Sequence, residues 1–246
     1  MNRFVIIVPF YNVGDYIIDC YRSILSQTYT NWIVMFGDDG STDNAMNLIP
    51  NFDSRFIKIS NEKKLYALAN EHNLILSTPN LNQEDIIIIL DGDDKLLNNN
   101  VLSYLNDFYT TSNPLVVYGQ YTRSNGLSGT ARGFKDENEF NNIRQINGYF
   151  LSHIRTWKYR VYQELVTQDP DLTCYKDLSG QFYKTAADVA IMYPLIEIAG
   201  YKNVKFNHQP LYWYRLHPNN DHILYLDDQK NTELEIKMKP KFKQII

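Results

Sequence analysis

Five consecutive aliphatic residues, 86–90, run without a break into Asp91-Gly92-Asp93-Asp94. An unbroken apolar run of this length reads as a strand buried on both faces, the form taken by strands of parallel sheets. The acids then fall at its carboxyl end, where open α/β sheets bind their ligands. Upstream, residues 4–8 form a second apolar run closed by Pro9, and residues 32–36 a third, closed by Gly37-Asp38-Asp39-Gly40. Between them, residues 15–26 place Ile17, Tyr21, Ile24 and Leu25 on one helical stripe. Residues 56–60 read as a strand and 65–76 as a helix, while Ser41 or Thr42 is placed to cap a short helix ending at Leu48. Strand and helix in alternation predict an α/β fold, a mostly parallel central sheet flanked by helices.

Beyond residue 100 the pattern is mixed. Residues 101–108 read as a helix, 115–121 as a strand, 124–134 as a Gly-containing loop and 157–166 as a helix. A long helix over 185–199 contains Pro194, which should kink it or restrict its start. Residues 204–214 read as a strand broken at Pro210, and the tail from Gln229, with five lysines and no apolar stripe, as a frayed end or the start of a linker.

A 246-residue chain that is 44% hydrophobic and 21% charged is not a disordered one. Its net charge of -4 leaves no basic surplus, which argues against a nucleic-acid partner. The acid is gathered at Asp38, Asp39, Asp43 and Asp91 to Asp94, and clustered carboxylates repel one another unless a cation joins them. An EF-hand is excluded, because Leu96 stands where the loop needs Gly. The plainer readings are an acidic turn after residue 90, and helix capping by Asp43 and Ser41. A cap leaves Asp38 and Asp39 unexplained. Cys20 and Cys174 suit neither a disulfide framework nor a zinc site, so a reducing, cytoplasmic location is expected. No apolar run is long enough to span a bilayer, and Pro9, Asn12 and Asp15 interrupt the first one too early for a signal peptide.

Four segments carry a resemblance: Ile6-Ile7-Val8-Pro9-Phe10-Tyr11-Asn12, Ser23-Ile24-Leu25-Ser26-Gln27-Thr28-Tyr29, Asp38-Asp39-Gly40-Ser41-Thr42-Asp43 and Leu90-Asp91-Gly92-Asp93-Asp94. In this order and spacing they resemble the family 2 glycosyltransferases of GT-A (Rossmann-like) fold, strongly over residues 1–120 and more weakly beyond. The resemblance implies a UDP-sugar donor, Mn²⁺ or Mg²⁺, and a single domain over 1–228. Residues 1–120 would be its nucleotide-sugar half and 121–228 a mixed acceptor half, with 229–246 as the tail. It implies that Pro9, Tyr11 and Asp39 hold the uridine, and that Asp91 and Gly92 line the diphosphate. Asp91, Asp93 and Asp94 would take the metal. The family often carries Arg just before the residue matching Asn70. Here that residue is Ala69, and Lys63 or Lys64 would replace the charge, Lys64 being assigned to the donor.

Asp188 stands where the family has the second acid of a Glu-Asp pair, with Ala187 replacing the Glu. The implied role is the base that deprotonates an acceptor hydroxyl. The alternative is a first-turn acid favoured by the helix dipole. Tyr212-Trp213-Tyr214-Arg215-Leu216-His217 resembles the late Tyr-Arg-x-His motif, which implies Arg215 on phosphate and His217 as a further metal ligand. His153-Ile154-Arg155-Thr156-Trp157-Lys158 suits either an extended acceptor or a surface helix start with Trp157 in the core.

From His153 to Tyr214 the chain resembles glycosyltransferase domains of giant viruses that glucosylate hydroxylysine of collagen-like proteins. That implies a peptide acceptor, a viral protein acting in host cytoplasm, and a homodimer or part of a longer chain. A glycan or lipid-linked acceptor is the alternative. A sugar-1-phosphate nucleotidyltransferase would need a Gly-rich, Arg-containing loop where Pro9-Phe10-Tyr11-Asn12 stands. A nucleotide-binding module without turnover is the other competing class, suited by Ala187 and Ala69.

Overall fold

The computed structural model describes residues 1–245. Its first third alternates β1 (Phe4–Phe10), α1 (Ile17–Leu25), β2 (Trp32–Asp38), α2 (Ala45–Leu48), β3 (Phe56–Ser60), α3 (Ala67–Leu76) and β4 (Ile86–Ile89). These four strands are parallel neighbours in the order β3-β2-β1-β4. Alternate residues of each strand serve opposite faces. Val5, Ile7, Ile87 and Ile89 pack with Leu68, Leu74 and Ile75 of α3. Phe4, Ile6, Val8, Ile86 and Ile88 pack with Ile17, Cys20 and Ile24 of α1. Both faces are covered, which is why the runs are apolar at every position rather than at every second one.

The remainder comprises β5 (Lys95–Leu96), α4 (Val101–Ser112), β6 (Val116–Arg123), α5 (Glu137–Asn141), β7 (Arg155–Lys158), α6 (Tyr159–Gln168), α7 (Ala187–Ala199), β8 (Val204–Tyr214), α8 (Asp221–Leu224) and α9 (Leu226–Met238). The sheet continues as β4-β7-β6-β8-β5. β7 is antiparallel to both its neighbours, β6 and β8 are parallel, and β5 closes the edge antiparallel to β8. An α/β fold with a parallel first half and a mixed second half is therefore the observed architecture.

Four local expectations change. Residues 157 and 158 belong to β7 and not to a helix, because Arg155 to Lys158 are paired to β4 on one side and Val116 and Val117 of β6 hold the other. Ladder hydrogen bonds on both edges outweigh the local helical pattern, which resumes at Tyr159. Neither Ser41 nor Thr42 caps α2. Ser41 Oγ accepts from the Asn12 amide, and Asp43 Oδ1 takes the Ala45 amide. Helix α7 starts at Ala187, two residues later than expected, and continues through Pro194 to Ala199, buried on nearly every side. The tail is not frayed, and a boundary at 228 would fall inside α9. Ile236 is buried against the α7 side of the core, and the Ile245 amide reaches the Ile198 carbonyl at 2.8 Å. Ile246, the end of that tail, lies outside the described residues. Pro210 does mark a break: the β6–β8 pairing jumps from Gly119↔Asn207 to Tyr121↔Tyr212.

Candidate active site

The carboxyl ends of β1, β2 and β4 lie side by side, and their loops are knitted by backbone hydrogen bonds. Asn12 Oδ1 accepts from the Thr42 amide at 2.8 Å, Asp43 Oδ2 from the Gly14 amide at 2.7 Å, and the Asp39 amide donates to the Phe10 carbonyl at 2.8 Å. Pro9 is buried at the end of β1, and its carbonyl accepts from the Gly92 amide. A Cβ at Gly92 would stand 2.5 Å from Phe10 Cβ, so the turn after β4 can pass this close only as glycine. The Ser23-to-Gln27 segment is structural. Ser23 Oγ accepts from the Leu96 amide, and Gln27 ties α1 to the Asn98 carbonyl and the Leu102 amide.

Asp39 is buried, and its carboxylate is the anchor of the loop before α3. Oδ1 accepts from the Leu65 amide at 2.7 Å and from Asn61 Nδ2 at 3.1 Å, and Oδ2 from the Tyr66 amide at 2.7 Å. Oδ2 thus retains one lone pair for a donor. Tyr66 is held at φ 69°, a strained backbone for a residue with a Cβ. That loop puts Lys64 Nζ 3.7 Å from the ring centroid of Tyr11, which is itself 37% exposed. Tyr11 after β1 and the buried Asp39 carboxylate after β2 thus flank the loop before α3, and Lys64 covers the Tyr11 ring. Asn70 is buried and donates to the Gly37 carbonyl, and Ala69 beside it is buried as well.

The cluster after β4 is shared with the end of β8. Asp93 Oδ2 meets His217 Nε2 at 2.8 Å, and the His217 ring packs on Tyr16. Asp94, expected among the metal ligands, is only 1% exposed, and both its oxygens are taken, one by the Tyr212 hydroxyl at 2.7 Å and the other by the Arg215 amide at 2.7 Å. It fastens β8 to the turn instead of facing a ligand. Arg215, expected on phosphate, donates to the Asp93 carbonyl and to Asp19, with its guanidinium against the rings of Tyr16 and Trp213. Among the described residues no three His, Cys, Asp or Glu side chains already converge as a metal cage. Asp93, His217 and, two residues before Asp93, Asp91 could still offer a metal two hard carboxylates and one borderline imidazole. That set fits Mn²⁺ or Mg²⁺ when a diphosphate supplies the remaining oxygens.

Asp91 and Asp188 approach the same guanidinium. Arg155 of β7 lies 3.6 Å from Asp91 Oδ2 and 3.9 Å from Asp188 Oδ2. Burial pushes Asp91 up to about 6, with Arg155 opposing the rise. Burial likewise raises Asp188, again against Arg155. Asp188 sits in the first turn of α7, two residues after Ala186 at φ 54°. Glu71 faces the same cluster from α3 and is pushed up to about 8 by burial. Arg155 is expected from the sequence only as part of a segment suited to an extended acceptor, and Glu71 is not expected in the site at all. The usable signals were a cation within an otherwise buried strand, and an acid on the α3 stripe of Leu68, Leu74 and Ile75.

Residues 5–169 match the family model "Glycosyl transferase family 2". The chain belongs to that family. Glycosyltransferase GlyG of Streptococcus pneumoniae serotype 4 is 31% identical over 119 residues, covering 47% of this chain and 38% of the relative. S. aureus TarS 1-349 in complex with UDP-GlcNAc superimposes with a TM-score of 0.63 at 15% identity, over 91% of this chain and 61% of that one. The mannosyltransferase PcManGT from Pyrobaculum calidifontis, in complex with GDP-Man and Mn²⁺, gives 0.60 at 15% identity over 96% and 62%. At such identities the structural likeness establishes the fold, that of the GT-A glycosyltransferases. The chain spans well under half the length of GlyG.

Proposed function

We propose that this chain transfers a hexose from a UDP-sugar to an acceptor hydroxyl with the help of a divalent cation. The observation that carries this reading is the contact of Asp93 with His217, 2.8 Å apart in space and 124 positions apart in sequence. It joins the acidic turn after the central strand to the far end of β8, at the carboxyl ends of the parallel strands. The uridine would lie on Tyr11 once Lys64 moves aside, with Asp39 accepting from the base and Pro9 and Gly92 letting the backbone approach. The neighbours support a nucleotide-sugar without fixing the base, one being bound to UDP-GlcNAc and another to GDP-Man.

Asp93, His217 and Asp91 would hold Mn²⁺ or Mg²⁺, which supplies neutralisation of the departing diphosphate. Asp188 accepts the proton of the acceptor hydroxyl as it attacks the anomeric carbon, and direct displacement inverts that centre. A carboxylate raised by burial is a stronger base than a solvated one, which suits this role. For the acceptor, the resemblance of the second half to giant-virus domains supports a hydroxylysine of a collagen-like peptide. Failure to label such a peptide from any UDP-hexose would leave glycan or lipid-linked hydroxyls. No helix among the described residues is long and apolar enough to cross a membrane.

Thermal unfolding with UDP, with and without Mn²⁺, tests the donor site. Ligand at about 100 times its dissociation constant adds roughly 2.7 kcal/mol, a shift of several degrees at this size. The shift should need both UDP and metal and vanish in Asp93→Ala. No shift with any nucleotide rejects the reading. Asp188→Asn should keep the UDP shift while turnover falls on the order of 100-fold or more. Turnover without UDP-site changes in that variant removes Asp188 as the base.

A further inference from the structure

Strand β7 carries a cation into the middle of the sheet. Ile154, Arg155, Thr156 and Trp157 are all buried, and β7 is paired on both sides. Burying a guanidinium there is costly unless carboxylates meet it. Asp91 lies near Nη2 at 3.6 Å and Asp188 near Nη1 at 3.9 Å, with Glu71 acting from further off. Nη2 also donates to His153 Nδ1 at 3.3 Å, and Nε is buried without a partner. The His153 ring is in turn stacked on Tyr212 at 4.2 Å, the residue whose hydroxyl holds Asp94.

The contrast with Arg144 is informative. Arg144 makes a bidentate pair with Glu197, at 2.6 and 2.9 Å, the geometry of a cation that only fastens two elements. Arg155 makes no such pair. It stands between two carboxylates from different elements, one at the end of β4 and one in the first turn of α7, at distances longer than a direct hydrogen bond. Each of those carboxylates keeps about a third of its surface open, 32% for Asp91 and 38% for Asp188. The cation is hidden and its two partners are accessible, which is the arrangement expected of a group that acts through others.

We propose that Arg155 is a positioning residue whose guanidinium sets the Asp188 carboxylate at a fixed separation from the donor-side Asp91. This rests on the reading of the site as a glycosyl-transfer centre. Remove the cation and two carboxylates face each other uncompensated, so the acceptor base swings away from the donor.

The test compares the wild-type chain with Arg155→Gln, Arg155→Lys, Asp188→Asn and the Arg155→Gln/Asp188→Asn double variant. Turnover is read as UDP released from a panel of UDP-hexoses, and donor binding as the UDP-induced thermal shift. Arg155→Gln should lower kcat on the order of 100-fold, the cost of a misplaced group, with donor KM and the UDP shift retained. Arg155→Lys should recover part of the loss. The double variant should be no slower than Asp188→Asn alone, because a positioning residue has nothing further to contribute once its base is gone.

Wild-type kcat in Arg155→Gln, loss of UDP binding together with kcat, or losses that add in the double variant would each overturn the proposal. If Arg155→Gln does not fold, Arg155→Lys decides: reduced kcat with the UDP shift intact supports it, and wild-type kcat overturns it. A wild-type chain that does not bind UDP rejects the glycosyl-transfer reading itself, and binding without turnover of any donor rejects both the base and its positioning.

Discussion

Glu71 shows how far the site reaches into the core. It sits on the apolar stripe of α3 and is 3% exposed. Burial, with Arg155 opposing, carries its carboxyl from an ordinary 4.5 to about 8. The folded chain therefore holds a proton there over a range in which the unfolded chain has released it. The resulting stability is fully present below about pH 4.5 and is lost as pH rises through about 8, a loss on the order of a few kcal/mol. Glu71→Gln should abolish that dependence: between about pH 5 and pH 9 the wild-type Tm should fall several degrees further than that of the variant. Parallel curves would rule it out. At this scale Asp39 and Asp93 can be singled out from sequence because each stands in a polar motif at the end of an apolar run, whereas Asp188 and His217 are reached through the resemblance of their segments. Glu71 and Arg155 stand in no such motif, and only the fold shows that each charge is enclosed and what encloses it. For Asp94 and Arg215 the motifs indicate a region, but their partners, Tyr212 and Asp19, come from elements whose proximity no local pattern encodes.

The elements of the first third were legible because each strand is buried on both faces and each crossover is a short amphipathic helix. Those of the second half were less so. β7 has four residues and gains its identity only by lying between β4 and β6. Helix α9 has no apolar stripe to announce it, and is docked by one buried side chain, Ile236, together with polar ties. Arg144 provides the strongest of those, pairing with Glu197 of α7 while Nη1 donates to the Ile236 carbonyl at 2.6 Å. With side-chain exposures of 4% and 8%, this pair is buried, so removing one partner strands the other. Arg144→Leu should cost about 3–5 kcal/mol in urea unfolding, without altering UDP affinity. A cost below about 1 kcal/mol would mean that Glu197 finds other partners.

At the scale of the molecule, the last described residues pack against the same core as the helices before them. Ending it at 228 would remove Ile236, the Ile236 and Lys239 carbonyls that receive Arg144, and the amide of Ile245 that meets Ile198. The shortened chain should be destabilised by about 2 kcal/mol or more, measured as a lower urea midpoint. An unchanged midpoint would restore 228 as a real boundary.

The sheet order carries a further consequence for how proteins of this architecture can diversify. Because β7 is inserted between β4 and β6, a strand from the later half is hydrogen-bonded directly to Ile86–Ile89, the strand that leads into the acidic turn. The two halves of the chain are therefore tied through one hydrogen-bonded ladder. A hybrid joined near residue 120 would have to bring a foreign strand that matches this register and delivers a cation beside Asp91. Recombination meets less resistance in residues 169–186, which contribute no strand to the sheet.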